Sequence, residues 1–368
     1  MILNKPSYQL PFEYLLDNQN YYYIDCSNYH ILPGLHEYKE LCDNNNYILL
    51  IDNSVEGWKS LVDDIYEYLV IPYDWEENNI MLISGDADIV SYVDYVAKKL
   101  NKKPIRSLWS NRFEVMIANQ IDANLRYDRR EFKTWEKRSE ANFIKTYLCL
   151  NRRWRLHRPA LVALLGVKGI LEKGHVSLST ADQTLNWEDV IPGLSRIHRS
   201  NSEICNIFTN QTDIIYKIPK LSLDRPTLEE TTLFNLEQLL CPFYEQSLIS
   251  VVTETNFYTN FYNKIVHEGT RFFSEKTFKP IAHKHPFILV SVPNCLNILK
   301  QIGYQTFHPF IDESYDNEHD DSIRLLKIVN EIERISKFTK EEVKEFVKQT
   351  MPICEYNYKL LLTKSQIK

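Results

Sequence analysis

Short, continuous apolar runs recur along the chain, separated by stretches with helical spacing. This pattern predicts parallel strands joined by crossover helices. Tyr47 to Asp52 (YILLID) reads as a buried strand. Ser54 is then expected to cap a helix that places Trp58, Leu61, Ile65 and Leu69 on one face. Ile80 to Ser84 (IMLIS) is the next strand. Gly85 turns the chain, Ile89 to Leu100 has helical spacing, and a strand is expected near Pro104 to Leu108. Asp128 to Glu140 (DRREFKTWEKRSE) is densely charged and reads as a solvated helix, placed as the connection between domains. A fresh series follows, with a strand at Thr146 to Leu150, a helix at Arg158 to Glu172 with Gly174 as its C-cap, and a strand at His175 to Leu178.

Residues 180–245 carry Pro192, Pro219 and Pro226 and read as loops with one helix around Thr227 to Leu240. Order returns with a strand at Leu248 to Thr253 (LISVVT), a helix after Ser274 and a strand at Phe287 to Ser291 (FILVS). Asn294 is expected to cap a further helix that Gly303 ends. SIRLLKIVNEIERI and KEEVKEFVKQ then repeat the helical pattern. The result is an α/β chain of two β/α layers, 1–140 and 141–335, with helices over 336–368.

A length of 368 residues suits two domains. Hydrophobic residues at 44% and aromatic residues at 12% supply a sizeable core and argue against disorder. The net charge of -6 gives no chain-wide basic field for nucleic acid. The seven cysteines (Cys26, Cys42, Cys149, Cys205, Cys241, Cys295, Cys354) are scattered and form no CxxC pair, so they read as small buried residues in a reducing compartment. MILNKPSYQLPFEYLLD lacks the apolar run of a signal peptide, and no stretch approaches the length of a spanning helix. The expected location is the cytoplasm.

Several chemistries lack their motif. There is no GxGxxG, GxxxxGK[ST], HExxH or GxSxG, and nine glycines leave little room for a concealed one. A phosphate site must then rest on side chains and a helix N-terminus. TETNFYTNFYNKIVHEGTRFFSEKTFKPIAHKHPFILVS offers one. A strand ends at Thr253-Glu254-Thr255, and further along Phe273-Ser274-Glu275-Lys276 enters a helix. Ser274 suits an N-cap, the helix pole attracts a diphosphate, Glu275 suits ribose hydroxyls and Lys276 a phosphate oxygen. Pro280 is expected to kink or interrupt this helix. The plainer reading is a capped helix with an exposed Glu-Lys pair.

Arg152, Arg153, Arg155 and Arg158, with His157 among them, follow a strand, where guanidinium forks suit phosphate. Contact with an RNA or DNA acceptor, or plain surface charge, are the alternatives. Asp312-Glu313-Ser314-Tyr315-Asp316 suits acceptor hydroxyls, a metal, or capping of the helix from Asp321. His283, His285 and His308 lack metal-ligand spacing. Carboxylates at strand ends, Asp52, Glu56, Asp86 and Asp88, are candidate general bases, with Glu56 expected on the first helical turn.

The segments around Glu254 and Phe273 to Lys276 resemble the donor-binding signature of the α-1,3/4-fucosyltransferases. Glu254 matches, its neighbours depart, and Phe273-Ser274-Glu275-Lys276 is the closer match. Exostosin-type transferases share a looser version. Asn151 to Arg158 followed by PALVALL resembles the opening of the same donor domain. FSEKTFKPI, HPFI, Gly303-Tyr304-Gln305-Thr306-Phe307 and Ile311 to Asp316 resemble runs in glycosyltransferase-like proteins of large DNA viruses and phages.

The resemblance covers about 145–335 and is weak before it. It implies a GT-B glycosyltransferase: two Rossmann-like domains facing across a cleft, with an acceptor domain at 1–140, a donor domain at 141–335, and C-terminal helices 336–368 packing back on the first domain. The donor would be a UDP- or GDP-linked sugar held by Arg152, Arg153, Arg155, Arg158, Glu254, Ser274, Glu275 and Lys276. Asp52, Glu56 or Asp86 would be the base of an inverting, metal-independent reaction with no further cofactor. A glycan, a protein or modified DNA would be the acceptor. Two alternatives stand beside it. One is a metal-dependent GT-A transferase using Asp86 and Asp88. The other is a non-catalytic module binding glycan or nucleic acid.

Overall fold

The computed structural model describes residues 2–4, 10, 12–26, 38–126, 143–151, 154–178, 186–221, 241–259 and 269–365. Backbone contacts divide these into two units. The first runs to Met116 and takes in 269–273. The second comprises those from Ile117 to Thr259 and from Ser274 onward. Both are Rossmann-like arrays of parallel strands and helices. The charged stretch Asp128 to Glu140 and the helix expected at Thr227 to Leu240 lie outside the described residues.

In the first unit, β1 (Ile2–Leu3), β2 (Tyr21–Asp25), β3 (Ile48–Asn53), β4 (Ile80–Ser84) and β5 (Arg106–Trp109) form a parallel sheet in that order. Ile51 sits opposite Leu82 and Ile83 opposite Leu108. β3 is buried throughout because its alternate residues feed two cores. Leu49 and Ile51 pack with Val62, Ile65, Val93 and Val96 from crossover helices, while Ile48 and Leu50 pack with Leu10, Phe12 and Met81. A strand covered on both faces reads as an unbroken apolar run.

The helix after β3 starts at Ser60, not at Ser54. It continues through a π-helical turn at Tyr66–Val70. Ser54 instead lies in the turn that follows the strand, where its backbone N–H donates to Asp52 at 2.9 Å. Glu56 sits in the same loop, ahead of the helix rather than on its first turn.

In the second unit, β6 (Lys145–Cys149), β7 (Gly174–Val176), β8 (Ser247–Thr253) and β9 (Phe287–Val290) are parallel in the order β7-β6-β8-β9. The chain steps from β6 to β7 on one side and returns to β8 on the other. A topological switch point therefore lies between the carboxyl ends of β6 and β8, where such sheets bind ligands. The helix after β6 spans His157–Val167 and ends well before Gly174. Gly169 takes φ 68°, and the bonds Gly169 N–H to Gly166 O and Ile170 N–H to Leu165 O close a Schellman turn. Gly174 opens β7, where any Cβ would fall 2.2 Å from the Tyr147 ring.

The stretch that read as loops holds helices at Trp187–Ile197, Ser202–Asn210, Thr212–Ile215 and Cys241–Gln246. Asn186 and Asn201 cap the first two. Helices Asp321–Ser336 and Lys340–Thr363 close the described chain, the latter opened by a capping box between Thr339 and Glu342. Asn357 of the last helix exchanges two hydrogen bonds with the Gln305 backbone, both at 2.8 Å, and this helix packs on helix Glu275–Ala282. Among the described residues, no helix is long and apolar enough to cross a membrane.

Candidate functional site

At the switch point, Asn151 ties three strand ends together. Its N–H donates to Ser177 Oγ at 3.0 Å and its Nδ2 to Ser177 O at 3.0 Å, while its Oδ1 accepts from Thr253 Oγ1 at 2.7 Å. Two residues from the opening turn of the next helix point the same way. His157 Nε2 donates to the Glu254 carbonyl at 3.0 Å, and Arg158 Nη2 to the Thr253 carbonyl at 3.1 Å. Burial holds the His157 imidazole well below its ordinary pKa, hence neutral. Burial, then the nearby Arg155, brings Arg158 down to about 10, so it stays charged at neutral pH.

The Glu254 carboxylate is fully buried and turned inward. Oε1 accepts from Ser274 N at 3.0 Å and from Thr277 Oγ1 at 2.6 Å, and Oε2 accepts from Ser274 Oγ at 2.7 Å. Ser274 is the N-cap of helix Glu275–Ala282, with its Oγ accepting from Lys276 N at 3.3 Å. An anion at the positive pole of this helix is thus supplied by the protein itself. Glu254, expected on the ligand, here accepts the hydrogen bonds of the cap residue Ser274 and of Thr277. The Lys276 ammonium lies at the rim, 2.9 Å from Ser274 Oγ and 3.1 Å from Glu275 Oε1, with its side chain 28% exposed. Glu275 is buried, which alone would raise its pKa, but Lys276 and Lys279 outweigh this and hold the carboxyl below its usual range. Pro280 sits within the helix, which ends at Ala282 in a turn with Lys284 at φ 46°.

Arg152 and Arg153 lie outside the described residues. Arg155 is exposed and Arg158 is buried against the β8 end. The structure therefore gathers Arg158, Glu254, Ser274, Glu275 and Lys276 at one edge, with Lys276 as the cation among them that reaches solvent.

The first-unit carboxylates differ sharply in access. Asp52, at the end of β3, is 1% exposed. It accepts from Tyr23 OH at 2.8 Å and Ser54 N at 2.9 Å, and lies 3.7 Å from Arg112. Burial raises its pKa despite these partners. Asp86 is fully buried, with Oδ1 accepting from Arg271 N at 3.1 Å and Asp88 N at 3.3 Å, and Lys59 Nζ 3.7 Å from Oδ2. Burial pushes it up to about 6. Asp88 pairs with Arg271 at 3.0 Å and Lys59 at 3.7 Å. Asp52 and Asp86 are thus buried and engaged in internal hydrogen bonds, while Glu56 is half-buried.

The acidic segment also faces inward. Asp316 accepts from Leu296 N at 3.0 Å and Glu313 from Phe307 N at 2.6 Å and Thr306 Oγ1 at 2.7 Å. Asp316 thus satisfies the first turn of helix Cys295–Gln301, whose N-cap residue Asn294 makes no side-chain capping bond, whereas Asp320 caps the helix from Asp321. Among the described residues no group of three His, Cys, Asp or Glu side chains has the spacing of a metal site. His283 stacks on Tyr244, and His285 bridges Ser250 Oγ and Ser247 O, both at 2.8 Å. Sequence reasoning missed Asn151 and Thr277 as site-shaping residues. It also missed Arg324, which is 1% exposed and donates to the carbonyls of Ser291, Phe257 and Glu318. The burial of a lone arginine inside a helix leaves no periodic signal.

The sequence matches no family model and no curated protein. The fold is similar to that of an alpha,alpha-trehalose-phosphate synthase (UDP-forming) from Burkholderia vietnamiensis, with 10% identity over 95% of this chain and 72% of the other, at a TM-score of 0.41. A likeness this distant assigns neither activity nor ligand.

Proposed function

We propose that the chain is a glycosyltransferase that takes its sugar from a UDP- or GDP-linked donor, with the diphosphate held at the N-terminus of helix Glu275–Ala282. One observation carries this reading. At the switch point of the second sheet, a helix is capped by Ser274 and braced from behind by Glu254, and it presents Lys276 at its rim. Because Glu254 already satisfies the cap, the phosphate contacts fall to the Lys276 ammonium and to the exposed Arg155. Arg158 and Glu254 act as positioning residues. A bound phosphate would draw Lys276 from Glu275 and leave that carboxylate for a ribose hydroxyl.

The likeness of Phe273 to Lys276 to the fucosyltransferase donor signature supports the same placement. The run from Ile311 to Asp316 resembles one in viral and phage glycosyltransferase-like proteins, which supports the class of enzyme but not the position of the diphosphate. For inversion, a carboxylate takes the proton of the acceptor hydroxyl as the diphosphate leaves. Glu56 is our choice of base among the three candidates, since Asp52 and Asp86 are buried in internal hydrogen bonds. Asp86 and Asp88 already face Lys59 and Arg271, which supports a reaction that needs no metal there.

The test is turnover. Purified protein is incubated with UDP- and GDP-sugars, with and without EDTA, and released nucleotide is followed. Release that survives chelation fits the proposal. Release abolished by EDTA and restored by a divalent cation would return the choice to Asp86 and Asp88. Binding without release would favour a glycan- or nucleic-acid-binding module, a reading that the Glu254 carboxylate at the helix pole keeps in view.

A further inference from the structure

The first unit concentrates positive charge at one place in a chain whose net charge is -6. Lys98, Lys99, Lys102 and Lys103 fall around the end of helix Ile89–Lys99, on the way into β5 and hence at the amino edge of the first sheet. A Schellman turn closes the helix. Asn101 takes φ 53°, Asn101 N donates to Lys98 O at 3.2 Å and Lys102 N donates to Ala97 O at 2.9 Å. The chain beyond is pinned too. Lys103 N donates to Glu77 Oε1 at 3.2 Å, Lys103 O accepts from Tyr66 OH at 2.8 Å, and the same hydroxyl accepts from Ile105 N at 2.9 Å. A fixed backbone thus displays the four ammonium groups, with Lys98, Lys99 and Lys103 exposed and Lys102 half-buried.

None of the four forms an ion pair among the described residues, even though Asp94 lies one turn before Lys98. By contrast, Lys39, Lys168, Lys327 and Lys337 each meet a carboxylate within 3.0 Å. The helix dipole favours cations in the last turn, which accounts for Lys98 and Lys99. Lys102 and Lys103 lie beyond the cap. Four like charges this close repel one another, a cost that an anionic partner removes. Apolar groups stand among them. Leu100 is 37% exposed, and Tyr95, one turn before Lys98 and Lys99, is 60% exposed. Ile71 and Tyr73, at the end of the helical stretch that contains Tyr66, are exposed as well. A nucleic-acid backbone would engage the lysines and leave Leu100 unused. An anionic bilayer engages both, drawing the ammonium groups to its headgroups and taking apolar side chains into the boundary beneath.

We propose that this edge of the first unit docks on an anionic lipid surface, with Lys98, Lys99, Lys102 and Lys103 over the headgroups and Leu100 and Tyr95 dipping below them. Docking here does not depend on the donor-site reading.

The test is co-sedimentation of the full-length chain, at low ionic strength, with vesicles of phosphatidylcholine alone and of phosphatidylcholine mixed with phosphatidylserine. Wild type should bind the mixed vesicles, bind the neutral ones far less, and release in high salt. A lysine near such a surface is worth about fivefold in partitioning, so Lys102→Gln with Lys103→Gln should weaken binding about thirtyfold. Lys344→Gln with Lys359→Gln removes the same charge from exposed positions on the last helix and should change binding by less than about twofold. Leu100→Ser should weaken vesicle binding about threefold and leave binding of a single-stranded DNA oligonucleotide unchanged. Equal binding to both vesicle types, no binding to either, or an equal loss in the last-helix control overturns the proposal. So does tighter binding of the oligonucleotide than of the mixed vesicles with Leu100→Ser without effect on either, which would assign the lysines to nucleic acid.

Discussion

Replacing Glu254 tests the construction of the site at its most buried point. The carboxylate receives the Ser274 amide at 3.0 Å, the Ser274 hydroxyl at 2.7 Å and the Thr277 hydroxyl at 2.6 Å. It also lies near the buried Arg158 guanidinium. In Glu254→Ala these donors lose their acceptor and Arg158 loses a counter-charge, a loss of about 3–5 kcal/mol. In Glu254→Gln one oxygen can still serve Ser274 N and Thr277, and the new amide can donate to a rotated Ser274 hydroxyl, so the loss should be about 1–2 kcal/mol. At roughly 2–4 °C per kcal/mol for a unit of this size, the alanine variant should melt about 10 °C lower. Urea unfolding followed by circular dichroism measures both free energies. A loss below about 1 kcal/mol in Glu254→Ala, or equal losses in the two variants, would refute the account of Glu254 as the brace of the cap.

Other outcomes follow from the same geometry. Lys276→Ala should weaken UDP or GDP binding by about 1–3 kcal/mol by calorimetry, with the melting temperature nearly unchanged, since the ammonium sits at the rim. Unchanged affinity would remove Lys276 from the phosphate. Asp86 has a folded pKa raised from 3.8 to about 6, so its protonation favours the folded state at low pH and that contribution is lost as pH rises through about 6. The destabilisation by Asp86→Asn should therefore be about 2 kcal/mol smaller at pH 7.5 than at pH 4.5, and a pH-independent difference would contradict it. Gly174→Ala drives a methyl into the Tyr147 ring and should cost about 1–3 kcal/mol in urea unfolding. A neutral result would mean that the β6–β7 edge yields.

Much of the fold was legible because β3, β4, β8 and β9 are buried throughout and read as plain apolar runs. The Ser274 cap was legible too, since capping is local chemistry. What failed needed information from distant residues. Ser54 looks like a cap, yet its amide is taken by Asp52 and the helix waits until Ser60. Pro192 was read as a loop marker, yet it sits inside Trp187–Ile197, where the burial of Trp187, Val190, Ile191 and Leu194 on one face outweighs one missing amide bond. Gly174 looked like a helix end because the nearer Gly169 was not weighed. Glu254 was expected to face a ligand, and its hydrogen bonds with Ser274 and Thr277, some twenty residues later, could not be read from spacing. The strand order that creates the switch point between β6 and β8 has no signature in periodicity.

The most direct test of the donor site is a crystal structure of the chain soaked with UDP or GDP. The account predicts a diphosphate at the mouth of helix Glu275–Ala282, within hydrogen-bonding distance of Lys276 Nζ, with Glu254 still bound to Ser274. A nucleotide bound elsewhere, or none at saturating concentration, would contradict it.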